Sequence, residues 1–288
     1  MGAILTETLP YIAIVVSAGL LFTVGTRLFD DTRSGLIALA TFLTTPLIWY
    51  AAGSAPHALY PLPFVAGWLV AVANLQQRRA GWWWPAVAGG MLGLGVLTTP
   101  AAAVMMPLYL ALTIVLAVLD RSLDARRLVI MVTAFLVAAS PALVAVIRDP
   151  NAFRQLVMAY RLYDAQRFNV LQGLREMTSW VGLTARSEVY YDFFNPAFLF
   201  LTTRGLLFPL AVLVPIGLWR LLTNETSLFA RLSLLGFLAA PFAASLTAEA
   251  PTPGRILFLV PFATLVSMYG LRVLADAWAR KSSSATVT

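Results

Sequence analysis

Apolar residues run along this chain in nine blocks, near 9–26, 35–53, 58–75, 82–99, 101–119, 127–147, 205–222, 231–248 and 255–275, separated by short polar stretches. A helix needs about 20 residues to cross a hydrocarbon layer roughly 30 Å thick, and each block approaches that length. The pattern therefore predicts an all-α fold: a polytopic transmembrane helical bundle of about nine spans, with residues 1–288 forming one transmembrane domain. Pro61, Pro63, Pro85, Pro100 and Pro107 fall in or beside the third to fifth blocks. Neighbouring helices can re-satisfy the backbone groups that such prolines free.

Composition agrees with the pattern. Hydrophobic residues make up 60% of the chain and charged residues 11%, and the mean hydropathy is +0.81, which is too apolar for a soluble domain of this length. The chain has no cysteine, which excludes a disulfide framework and a thiolate metal site. Its formal charge of +7 resembles a nucleic-acid signature only until the basic residues are placed. One alternate set of loops holds Arg27 and Arg33, then Arg78 and Arg79, then Arg121, Arg126 and Arg127, then Arg220 and Arg231, and finally Arg272, Arg280 and Lys281. Basic residues so distributed set topology and mark the cytoplasmic side; no nucleic-acid partner is implied. The short loops of the opposite set, around His57 and around Thr98, Thr99 and Pro100, carry no Lys or Arg, and the last carries only Arg255.

With nine spans, the tail at 276–288 lies in the cytoplasm and is expected to be disordered, and the N-terminus lies outside. An external N-terminus with no signal peptide and no flanking positive charge is unusual. The expectation is that a further helix precedes the first one seen here.

Between the sixth and seventh blocks lies one long external loop, 148–204, where most of the polar chemistry sits. Its first part places Phe153, Leu156, Val157 and Tyr160 at helical spacing, with Arg154 and Arg161 seven residues apart. That spacing predicts an amphipathic helix in the membrane interface. The stretch 168–181 predicts a second one, with Trp180 as an interfacial anchor. The end of the loop, EVYYDFFNPAFLFL, is dense in aromatic residues, which suit either the headgroup layer or an apolar ligand. External arginines such as Arg154 and Arg161 also suit lipid headgroups, so membrane lipids are the first expected partners.

Topology divides the carboxylates. Asp30 and Asp31 resemble a metal-binding doublet but fall on the cytoplasmic side, where they read as a solvated turn. The external acids are Glu7, Asp149, Asp164, Glu176, Glu188, Asp192 and Glu249, and none forms a catalytic pair by spacing. His57 alone is insufficient for a histidine metal site. Gly89 and Gly93 form a small-xxx-small face for close helix packing. Asn224, Glu225 and Thr226 have the form of a glycosylation acceptor but lie in a cytoplasmic loop. No charged residue falls in the middle of a predicted span, where ion-coupled transporters carry their relays. Chemistry at the external interface is favoured over transport.

Three stretches carry a family resemblance: GTRLFDDTRSGLIALATFLTTPLIWYAAGS (25–54), VYYDFFNPAFLFLTTRGLLFPL (189–210) and PTPGRILFLVPFATLVSMYGLRVL (251–274). They are similar to the basic turn and rising helix, the aromatic loop, and the last external loop with its arginine and proline-bearing helix of the GT-C membrane glycosyltransferases. The resemblance is to the protein O-mannosyltransferase and aminoarabinose-transferase type. It implies a multi-pass enzyme of the plasma (inner) membrane that moves a sugar from a polyprenyl-phosphate carrier to an acceptor on the extracytoplasmic side. The lipid-linked donor is a substrate, and no metal is implied. By the same resemblance Arg255, with Arg204, would hold the donor phosphate, and Tyr190, Tyr191, Phe194 and Phe198 would line the path of lipid and sugar. The family's first helix and its acidic loop have no counterpart here, so no catalytic carboxylate is assigned. The basic residue that many relatives carry near the position of His57 is also missing. The alternative is a non-catalytic membrane protein that binds or carries a lipid-linked substrate.

Overall fold

A computed structural model describes residues 2–75, 81–149, 170–202, 205–246 and 256–285. Among these residues every regular element is helical. In chain order they are α1 (Gly2–Phe29), α2 (Thr32–Thr44), α3 (Pro46–Ser54), α4 (Leu62–Leu75), α5 (Trp84–Gly95), α6 (Pro100–Leu119) and α7 (Ala125–Arg148). There follow α8 (Val170–Met177), α9 (Trp180–Asp192), α10 (Leu210–Thr223), α11 (Leu228–Ala239), α12 (Phe242–Ser245) and α13 (Leu259–Ala285). A 3₁₀ turn, Pro56–Leu59, leads into α4, and a short π-helical stretch, Ala197–Thr202, follows α9.

Six helical stretches among the described residues are long and apolar enough to cross a membrane: Thr8–Phe29, Pro56–Leu75, Pro100–Leu119, Ala125–Ala145, Leu228–Ser245 and Leu259–Arg280. A seventh arises if α2 and α3, bent by 44° at Thr45, count as one span. Pro46 causes that bend, because it disfavours the α conformation at the residue before it and Thr45 is extended, at φ −66° and ψ 116°. Each of the nine predicted blocks contains helix among its described residues, but α5 has 12 residues and α10 has 14, roughly 18 and 21 Å of rise. Pro85 starts α5 late, after Trp82 and Trp83, and turns from Val96 end it early. The stretch 205–209 enters α10 without helical form.

Two further expectations are corrected. The tail expected to be disordered from 276 continues α13 as helix to Ala285, through Ala277, Ala279, Arg280 and Lys281, good helix formers, and then three serines; residues 286–288 lie outside the described residues. The single helix expected over 168–181 breaks after Met177. Ser179 caps a new helix there, its hydroxyl accepting from the Gly182 amide at 3.1 Å. The amphipathic helix predicted over 153–161 lies outside the described residues.

One core joins the bundle, with Trp68, Tyr109, Phe42, Phe229 and Phe262 fully buried in it. Trp68 of α4 stacks on Tyr109 of α6 at 5.1 Å, and Phe262 of α13 closes on Tyr109 at 5.3 Å. Glycine sets the closest approaches. A Cβ on Gly89 would fall on the carbonyl of Met131, and one on Gly93 on the carbonyl of Phe135, so α5 lies against α7 with backbones touching. Gly217 of α10 and Gly270 of α13 make the same contact reciprocally, with the carbonyls of Val266 and Leu213. Association in lipid rests on packing of this kind rather than on a hydrophobic drive between helices.

Among the described residues, loops of the arginine-rich set meet at one end of the bundle. At the arginine-rich end, Arg27 donates to Asn74 at 3.1 Å, Arg272 lies 5.3 Å over the ring of Phe29, and Arg231 of α11 pairs with Asp120 beyond α6. Asp31 in this end caps α2, accepting from the amides of Arg33 and Ser34 at 3.1 and 3.2 Å. The amide of Arg33 is the main cause that holds its carboxyl below the ordinary range. The Asp30–Asp31 doublet is thus a turn, as read from sequence, and Asp31 in addition caps α2.

Candidate functional site

The opposite end carries the aromatic segment singled out in the sequence. Helix α9 lies over α11 and α12 and is tied to them by two side chains. The hydroxyl of Tyr190 donates to the carbonyl of Leu238 at 2.7 Å, and Nε of Arg186 donates to the carbonyl of Leu246 at 3.2 Å. Burial against this surface raises the Tyr190 hydroxyl above the ordinary tyrosine range, with Tyr191 adding to the effect. Desolvation lowers Arg186, against the opposing influence of Glu176. Both shifts have the sign expected when a polar group is drawn out of water.

The chain then turns inward. Phe193, Leu199, Gly205 and Leu206 are buried, and the amide of Leu47 donates to the carbonyl of Gly205 at 3.2 Å. The segment is therefore wedged between α3 and the rest of the bundle.

Of the four aromatic residues predicted to line a lipid and sugar path, three come together. Tyr190 meets Tyr191 at 5.5 Å and Phe194 at 5.4 Å, both edge to face, and Phe194 meets Phe237 of α11 at 5.6 Å. Phe198 belongs to a second pair, with Phe193 at 6.0 Å. Tyr191 is 69% exposed and Trp180 80%, so this end presents aromatic faces outward as well as packing them. Sequence reasoning missed Phe193 and Phe237. Tyr190 and Phe194 stand four residues apart, the spacing of helical neighbours, but nothing local marks Phe237, which is brought in from α11.

Arg255 and Arg204, predicted to hold a phosphate, lie outside the described residues. Glu188 and Asp192 lie one turn apart on α9. His57 is exposed in its 3₁₀ turn. Among the described residues no three His, Asp or Glu side chains gather as a metal site would require. Compared with protein-family models, curated proteins and solved structures, the chain matches none of them.

Proposed function

We propose that this chain is a membrane glycosyltransferase of GT-C type that takes a sugar from a polyprenyl-phosphate donor, at the end of the bundle that bears α9 and the aromatic segment. The observation that carries the reading is the anchored aromatic face of Tyr190, Tyr191, Phe194 and Phe237. It is pinned to α11 by the hydroxyl of Tyr190 and joined to an apolar bundle in which a polyprenyl chain would dissolve. In this reading nine helices cross the plasma membrane. The arginine-rich end faces the cytoplasm, as the positive-inside rule requires, and the aromatic end faces outward.

The chemistry follows from the donor. The bond between the anomeric carbon and the phosphate oxygen breaks, an acceptor oxygen or nitrogen takes the sugar and releases its proton to water, and polyprenyl phosphate leaves with the added charge. A guanidinium neutralises that charge through two parallel hydrogen bonds, which is the role given to Arg255 with Arg204. The aromatic face orients sugar and prenyl chain. Binding of the same donor without transfer is the alternative; a chain that retains the donor but releases no polyprenyl phosphate would favour it.

Tyr191 offers a clean test, since it is exposed and its replacement leaves the core intact. Tyr191→Ala is expected to weaken retention of a radiolabelled polyprenyl-phosphate mannose by about tenfold, the loss of part of one aromatic contact area. Its thermal midpoint in detergent should match that of the parent. Unchanged donor retention would remove the aromatic face from the site.

A further inference from the structure

The arginine-rich end holds a cavity that the transferase reading does not use. Where α1, α10 and α13 meet, Phe29, Arg220, Glu225, Tyr269, Arg272 and Asp276 line a space of about 400 Å³. A second space of about 340 Å³ lies beside it, and Phe29 and Arg272 line both. The charges are already partly matched, because Nη2 of Arg220 lies 3.4 Å from Oε1 of Glu225. Asp31 and Arg33 both line the second space; Asp31 is engaged as the cap of α2 and Arg33 matches its charge. Arg272 is held over the Phe29 ring, and Asp276 lies one turn further along α13 on the same face. Among the described residues these two form no ion pair with each other. One guanidinium and one carboxylate thus stand side by side at the cavity. Exposed Trp82, Trp219 and Trp278 belong to the same end, and tryptophans so placed mark the headgroup level of a bilayer.

We infer that this cavity binds the headgroup of a zwitterionic phospholipid, with its phosphate on Arg272 and its ammonium on Asp276. A guanidinium spread over an aromatic ring keeps its N–H edge free for phosphate oxygens. A headgroup with a net negative charge would set that charge beside Asp276 and Glu225, whereas phosphate plus ammonium leaves the site neutral. Free phosphate supplies neither the ammonium nor the acyl chains that hold a lipid at this depth. The inference requires only that the bundle sit in a membrane, and it concerns the end away from the aromatic segment, so it stands or falls apart from sugar transfer.

Native mass spectrometry of the purified full chain, titrated with phosphatidylethanolamine, phosphatidylglycerol or inorganic phosphate, tests it. The parent chain is expected to retain phosphatidylethanolamine about tenfold better than phosphatidylglycerol and to take up no phosphate. Arg272→Gln should lower phosphatidylethanolamine retention about tenfold, the effect of one lost charge-assisted contact. Asp276→Asn should abolish or reverse the preference between the two lipids, a change that a purely structural residue would not produce. Both positions are exposed, and Asp276→Asn carries the test alone if Arg272→Gln does not fold. Equal or tighter binding of phosphatidylglycerol by the parent, unchanged retention in folded Arg272→Gln, an unchanged preference in Asp276→Asn, or uptake of inorganic phosphate would each overturn the inference.

Discussion

Gly89→Leu is expected to prevent accumulation of folded protein, or to lower stability by more than the roughly 1–3 kcal/mol usual for overpacking, while Gly90→Leu on the next residue leaves the thermal midpoint within a few degrees. The contrast comes from the approach of α5 to α7. A Cβ at Gly89 meets the backbone carbonyl of Met131, which cannot rotate away, whereas a Cβ at Gly90 meets nothing within 4 Å. Thermal unfolding in detergent, followed by size-exclusion chromatography, separates the two. Equal behaviour of the variants would mean that α5 and α7 do not touch through this face.

That face was readable before any coordinates, since glycines four residues apart in an apolar block announce close packing. The partner was not: Met131 and Phe135 sit in an ordinary apolar stretch, and only the fold brings their carbonyls to Gly89 and Gly93. The reciprocal pair of Gly217 and Gly270 went unnoticed for a related reason. Each glycine stands alone in its helix, and the motif exists only between α10 and α13. Helix positions followed from hydropathy, but helix lengths did not. Pro46 split one block into α2 and α3, and the turn from Val96 shortened α5, because backbone hydrogen bonding, not apolarity, decides where a helix stops. Arg27, Arg231 and Arg272, assigned to one set of loops from charge, lie at one end of the bundle among the described residues.

Arg255→Ala is expected to have the largest effect on activity. If its guanidinium neutralises the leaving phosphate, its loss should cost about 10²–10³ in turnover, as for removal of one transition-state donor in other enzymes. Donor affinity should fall by roughly 10- to 100-fold, the weight of a hydrogen bond to a charged group. Arg255→Lys keeps the charge but not the two-pronged geometry, so it should recover only part of either. The readout is release of polyprenyl phosphate from a labelled donor by protein in nanodiscs. Full activity in Arg255→Ala, with the fold intact, would take the phosphate role from this residue.

The candidate site was legible in kind more than in detail. The density of aromatic residues between Tyr190 and Phe198 drew attention to a segment whose rings pack together in the fold. Its anchoring depends on carbonyls of Leu238 and Leu246, which any residue type could supply and no sequence pattern reveals. Phe198 turned toward Phe193 instead of joining Tyr190 and Phe194, since the chain leaves α9 and folds inward before reaching it.

The central claim is that a polyprenyl-phosphate sugar binds at the aromatic end of the bundle. Photocrosslinking answers it most directly: a polyprenyl-phosphate mannose carrying a diazirine in the first isoprene unit is irradiated with the chain in nanodiscs, and the labelled peptides are mapped by mass spectrometry. The account predicts labelling concentrated in residues 189–210 and 251–262, competed by unlabelled donor and not by an equal amount of phosphatidylethanolamine. Labelling spread over the lipid-facing sides of α6 and α7, or labelling that phosphatidylethanolamine competes equally well, would contradict it.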